Sequence, residues 1–74
     1  MKIASPKDLG ALVRAERKTA GLTQERLAAL AGVSPRFVVE LEGGRASAGV
    51  GLVLRVLSTL GLDVDVNARA GEKR

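Results

Sequence analysis

The sequence predicts a mainly α-helical domain of four to five short helices, closed by one short C-terminal β-strand. Three observations lead there. Apolar residues recur at spacings of three and four through most of the chain, which is the repeat of one helix face. Ser-Pro or Thr positions open these runs and glycines close them, as caps and stops do. From Leu62 onward the period changes to two.

Ser5-Pro6-Lys7-Asp8 is a helix start. Ser5 caps, Pro6 suits the first helical position, and Asp8 stands three residues after the cap, in the first turn. Leu9, Leu12, Val13 and Ala20 form the apolar set of this first helix. Arg14, Arg17 and Lys18 lie on or beside its other face, and Gly21 ends it. Thr23 opens the second helix, with Leu27, Ala28, Leu30 and Ala31 as its apolar face and Gly32 as its stop. After Val33, Ser34-Pro35 repeats the cap-plus-proline start. The third helix carries Phe37, Val38 and Leu41 and ends at Gly43-Gly44. Arg45-Ala46-Ser47 is a loop. A fourth helix is expected from Ala48 to Leu60, with Val50, Val53, Leu54, Leu57 and Leu60 on one side and Gly61 as its end. Gly49 and Gly51 weaken its first turn, each by up to about 1 kcal/mol against alanine.

Leu62-Asp63-Val64-Asp65-Val66-Asn67 alternates apolar and polar, the signature of a half-buried strand. The chain offers no second strand to pair with it, and an isolated strand leaves its backbone donors and acceptors unmet. The expected partner is the same strand of a second subunit, with Leu62, Val64 and Val66 at the dimer interface. The alternative is a frayed tail that alternates without pairing. The organisation expected is a helical domain over 1–61, a dimerisation strand over 62–67 and a flexible basic tail over 68–74.

At 74 residues the chain is one small domain, burying only about 60% of its unfolded surface. Such scaffolds usually draw on disulfides, a metal or a partner chain. Cysteine and histidine are both absent, and Phe37 is the one aromatic residue. Disulfides, the usual zinc and iron ligand sets, a thiolate nucleophile and an imidazole base are therefore excluded. No catalytic site, metal or cofactor is expected, and self-association remains as the source of extra stability. Twelve Lys and Arg against eight Asp and Glu give a net charge of +4, with an isoelectric point near 10.4. That balance suits a polyanion, nucleic acid before acidic membrane. It also suits ordinary solubility charge, so placement must decide. Met1 to Ala4 lacks the apolar run of a signal peptide. The stretch from Val50 to Leu60 is broken by Gly51, Arg55, Ser58 and Thr59, far short of the ~20 residues that span a bilayer. A soluble, cytoplasmic protein with no membrane partner is expected.

Two short helices joined by a turn with a central glycine form a helix-turn-helix arrangement. It needs a small residue where the second helix crosses the first, and Ala28 supplies one. It needs a glycine to reverse the chain (Gly32) and apolar residues to pin the second helix (Val33, Val38 and Leu41). It also needs polar or basic groups at the start of the second helix, where the motif enters a major groove. Ser34, Pro35 and Arg36 stand there.

The run Leu22-Thr23-Gln24-Glu25-Arg26-Leu27-Ala28-Ala29-Leu30-Ala31-Gly32-Val33-Ser34 resembles the lambda-repressor/Cro (XRE) type of helix-turn-helix. Glu40-Leu41-Glu42-Gly43-Gly44 and the closing Leu60-Gly61 match the same pattern, so the resemblance covers Leu9 to Gly61. It implies a lambda-repressor-like domain that binds double-stranded DNA and represses transcription. It implies that Gln24 contacts a phosphate and braces the recognition helix, that Ser34, Pro35 and Arg36 approach bases or phosphates, and that Arg45 lies along the DNA backbone. Lys7 is a further candidate for a phosphate. Glu40 stands at a groove-facing position, where it either accepts from a cytosine amino group or faces water. Arg17 and Glu42 match a pair that forms a buried salt bridge between the first and third helices. The chain departs from the pattern in having no proline near Ala48 and no Gln, Asn or Lys at Pro35 or Phe37. Phe37 has three readings: core packing, contact with thymine methyls, or contact with another protein.

The two ends carry a narrower resemblance. Ser5-Pro6 before the first helix, and Leu60-Gly61-Leu62 running into Asp63-Val64-Asp65-Val66, are similar to the HipB-type antitoxins. That similarity implies a homodimer with an intersubunit two-stranded sheet, a palindromic operator, and a HipA-like kinase toxin as partner in an operon that the pair autoregulates. Two other roles suit the same motif. One is a stand-alone XRE-type regulator with no toxin. The other is a protein-interaction module, whose surface would be Phe37 with the acids Glu40 and Glu42.

Overall fold

The structure, a computed structural model, describes residues 2–45 and 47–70. Its order is α1 (Pro6–Thr19), α2 (Gln24–Ala31), α3 (Pro35–Glu42) and α4 (Val50–Thr59). The local chemistry of each boundary is visible in hydrogen bonds. Ser5 Oγ accepts from the Asp8 amide at 3.1 Å, and Asp8 Oδ2 accepts from the Ala4 amide at 3.0 Å. Thr23 Oγ1 accepts from the Arg26 amide at 3.0 Å, and Ser34 Oγ accepts from the Phe37 amide at 3.1 Å. Each such cap satisfies a first-turn N–H that has no partner inside the helix. Gly32 ends α2 with φ +72°, in the left-handed region, and the Val33 amide then reaches back to Ala28 O at 3.0 Å. α4 lacks a side-chain cap because Gly49 holds that position, and it starts two residues later than expected.

α3 packs against both α1 and α2, and α4 packs against α2. The core between them comprises Val13, Leu27, Ala28, Ala31, Val38, Leu41, Val53, Val56 and Leu57. Four residues assigned to apolar faces are exposed outside it. Leu30 is 55% exposed, because at 3.6 residues per turn it stands roughly 110° around from the centre of the Leu27, Ala28 and Ala31 stripe. Leu54 is displaced from its stripe by a similar angle, and Val56, at the position that does face inward, is fully buried. Val50 is exposed because it begins its helix at the rim of the core. Ala20 is the C-cap of α1 and is exposed.

Gly10 sets the distance between α1 and α3. A Cβ built there would lie 2.4 Å from Leu41 O and 2.7 Å from Glu42 O. Both are backbone atoms that no rotamer change can move aside. The two helices therefore meet main chain to main chain, and a glycine in mid-helix is what permits it.

Past α4, residues 62–69 have no regular secondary structure, and there is no strand among the described residues. A strand requires a ladder partner, and residues 62–67 meet none among the described residues. Leu62 packs against the core, whereas Val64 and Val66 are exposed. Of the tail expected at 68–74, positions 71–74 lie outside the described residues, as does Ala46 of the loop before α4. Among the described residues no helix is long and apolar enough to cross a membrane.

Candidate nucleic-acid interface

The turn at Gly32 projects α3 from the domain with its first residues outward. Ser34, Pro35 and Arg36 are exposed, while Val38 and Leu41 are buried beneath them. Phe37 is half-buried and packs against the core from its edge, which agrees with the core reading of that residue. Ser34 already commits its hydroxyl oxygen as an acceptor to the helix cap. Val39 is half-exposed on the outer side, one turn on from Arg36. Sequence reasoning passed over Val39. Its signal was the three-residue spacing from Arg36, which places both on one side of the helix.

The other end of α3 is locked. Arg17 Nε donates to Glu42 Oε2 at 2.6 Å, and Arg17 Nη2 donates to Glu42 Oε1 at 3.1 Å. This is a two-point guanidinium–carboxylate contact, the geometry that adds both strength and direction. Arg17 Nη1 also donates to Leu22 O at 2.8 Å, tying in the loop between α1 and α2. Gln24 Nε2 donates to Glu42 Oε1 at 3.1 Å, which ties in α2. The Arg17 and Glu42 side chains are only 10% and 4% exposed. Among the described residues no buried side-chain nitrogen or oxygen lacks a hydrogen-bond partner. Hydrogen bonding to Glu42 raises the Arg17 pKa above its ordinary value, burial opposes this, and attraction to the same carboxylate adds to the rise. A raised folded pKa means the stabilisation is complete below the ordinary arginine value and is lost only as pH climbs through the higher one. The arginine side of this pair is therefore unresponsive across the neutral range.

Between these ends lies a second cluster of charge. Arg36 Nε donates to Glu40 Oε2 at 3.1 Å, and Arg45 Nη2 lies 3.6 Å from the same oxygen. The Arg45 amide donates to Glu40 O at 3.1 Å, which fixes the start of the following loop to α3. A Cβ at Gly44 would lie 3.1 Å from Lys7 Cα, so the first turn of α1 abuts that loop. The structure thus groups Arg36, Glu40 and Arg45, with Lys7 on the neighbouring turn. It places Gln24 with Arg17 and Glu42 at the brace.

Residues 8–70, nearly the whole chain, match the family described as "Helix-turn-helix domain". An HTH-type transcriptional regulator of Sinorhizobium fredii, y4mF, is 51% identical over 73 residues, which is 99% of this chain and 95% of that protein. The chain belongs to the helix-turn-helix transcriptional regulators. A second HTH-type transcriptional regulator, from Methanothermobacter thermautotrophicus, is 44% identical over 50 residues, covering 68% of this chain and 72% of its own length. The helix-turn-helix fold here also resembles HipB, solved as a HipB–O4 20mer complex, with a TM-score of 0.83 at 24% identity over 92% of this chain and 96% of that one. HipB in a HipA–HipB–O2–O3 complex gives the same score and identity. The clp gene regulator ClgR from C. glutamicum matches with a TM-score of 0.71 and 34% identity over 84% of this chain and 80% of that chain. The XRE-type helix-turn-helix expected over Leu9 to Gly61 is therefore present, and its fold is HipB-like.

Proposed function

We propose that this regulator is a homodimeric, sequence-specific repressor. Its two recognition helices, each starting at Ser34, enter successive major grooves of a palindromic operator about 34 Å apart. The observation that carries the reading is the contrast along α3: an exposed, cationic first turn held at a fixed angle by the buried Arg17, Glu42 and Gln24 cluster. Ser34, Pro35 and Arg36 approach base edges and phosphates, and Val39 offers methyl groups of the kind that pack on thymine. Arg45 and Lys7 neutralise phosphates beside the groove. Gln24, whose amide nitrogen braces Glu42, completes the set near the backbone. The second subunit is held by pairing of residues 62–67, with Leu62, Val64 and Val66 covered in the dimer. Support comes from the lack of a ladder partner for residues 63–67 among the described residues and from the exposed Val64 and Val66. The HipB-like fold, and the existence of HipB in a complex with HipA, support a further role as antitoxin of a HipA-like kinase toxin. The protein would act in the cytoplasm and autoregulate its own operon.

The test is a gel-shift series on a duplex selected from a random library, from about 50 to 300 mM salt. Affinity should fall steeply as phosphate contacts are screened; a flat response sinks the DNA-binding reading. Deleting residues 62–74 should convert dimer to monomer in sedimentation, and a truncated chain that stays dimeric refutes strand pairing. Co-purification with a kinase encoded by an adjacent reading frame decides the antitoxin role.

A further inference from the structure

We infer that Glu40 sets how selectively this surface binds DNA, by competing with phosphate for Arg36 and Arg45; the inference rests on the proposed DNA binding. One carboxylate oxygen serves both cations, at 3.1 Å and 3.6 Å. The two arginines are the outer members of the cluster, with side chains 84% and 60% exposed, and Glu40 is the inner one at 35%. The Arg45 main chain stays beside the acid, because its own amide is bonded to Glu40 O, while its side chain is exposed and can exchange partners. Arg36 spends its Nε–H on Glu40, and with its side chain 84% exposed it keeps Nη donors for other partners.

The two kinds of DNA complex use these arginines differently. On random sequence, phosphate contacts supply essentially all of the affinity. An arginine that turns its bonded edge to a phosphate must release Glu40, and one that uses its other donors brings the phosphate close to the carboxylate's negative charge, so the carboxylate weakens this mode directly. On an operator, base-edge contacts add to the phosphate contacts. There a guanidinium already oriented by an acid keeps its outward donors for a guanine edge. Glu40 therefore suppresses non-specific binding more than specific binding.

Glu40→Gln keeps the shape and removes the charge. At 0.1 M salt it should raise affinity for a random duplex roughly 10-fold, and for the selected operator only about 2- to 3-fold, lowering the specificity ratio. On random DNA the slope of log affinity against log salt should steepen by roughly one to two, the increment for one or two added phosphate contacts. Both effects should vanish when Glu40→Gln is made in an Arg36→Ala/Arg45→Ala background, with circular dichroism confirming that every variant is folded. An equal gain on both duplexes, or a gain that survives in that background, reduces Glu40 to a distant negative charge and overturns the inference. A selective loss of operator binding overturns it too, because Glu40 would then read a base. If the wild-type chain binds no duplex at low salt, the DNA reading falls separately. Competition is then measured on heparin–agarose: Glu40→Gln must elute at higher salt than wild type and must add nothing in the double-alanine background. Equal elution of wild type and Glu40→Gln would end the proposal.

Discussion

Arg17–Glu42 and Arg36–Glu40 use the same two functional groups and meet the same helix, in two different solvents. At Glu42 both carboxylate oxygens are engaged, water is nearly excluded, and the partners come from α1 and α2. At Glu40 one oxygen is shared by two exposed cations within five residues of it. Removing one member of a buried pair strands the other charge in a poor solvent. Removing one member of an exposed pair hands the other to water, and such pairs are worth little. The chemistry of arginine and glutamate thus gives rigidity at one end of α3 and exchangeability at the other. A recognition helix requires both, a fixed angle and cations free to change partners.

The largest expected effect is at the buried end. Glu42→Ala should lower unfolding stability by about 3–5 kcal/mol, much of what a domain this small possesses. Urea titration would show it, and a loss under about 1 kcal/mol would mean that the pair is hydrated and the contrast false. Arg17→Met with Glu42→Leu should recover only part of that loss, because Leu22 O and Gln24 Nε2 would lose their partners. Gly10→Ala comes next, at about 3 kcal/mol, the upper range for overpacking, because the obstructing atoms are backbone. If thermal melts show Gly10→Ala as stable as wild type, α1 and α3 are further apart than described. Ser34→Ala should remove a helix cap for about 1 kcal/mol. The smallest effect is the Arg36–Glu40 coupling. A double-mutant cycle should give no more than about 0.5 kcal/mol, disappearing near 1 M salt. The Arg17–Glu42 coupling should persist under the same salt, and equal sensitivity of the two cycles would dissolve the comparison.

Much of this fold is legible in the sequence because it is written in local chemistry. Ser5, Thr23 and Ser34 each cap the helix they precede, and Gly32 ends α2 in the left-handed conformation that glycine adopts most readily. The face assignments of Leu30 and Leu54 failed for a different reason. In short helices built largely of aliphatic residues, composition leaves the phase of the apolar stripe open, and packing fixes it. Gly10 was illegible for the opposite reason. A mid-helix glycine looks like a weak helix position, and its use appears only once α3 lies across it. The Arg17, Glu42 and Gln24 grouping joins residues up to 25 positions apart. Such a contact is invisible to periodicity, and only the family resemblance pointed to Arg17 and Glu42. The link between Glu40 and Arg45 depends on the loop turning back after Gly44, which sequence spacing does not reveal.

The backbone contact at Gly10 also limits how this domain could be retargeted to new DNA. α3 is two objects on one rod. Ser34, Pro35, Arg36, Val39 and Glu40 face outward and can be rewritten. Leu41 and Glu42 form a socket whose carbonyls touch α1 directly and whose side chains carry the core and the brace. A recognition helix transplanted whole from another regulator would bring a foreign socket and lose its angle. A graft confined to the outward positions would inherit the existing mount.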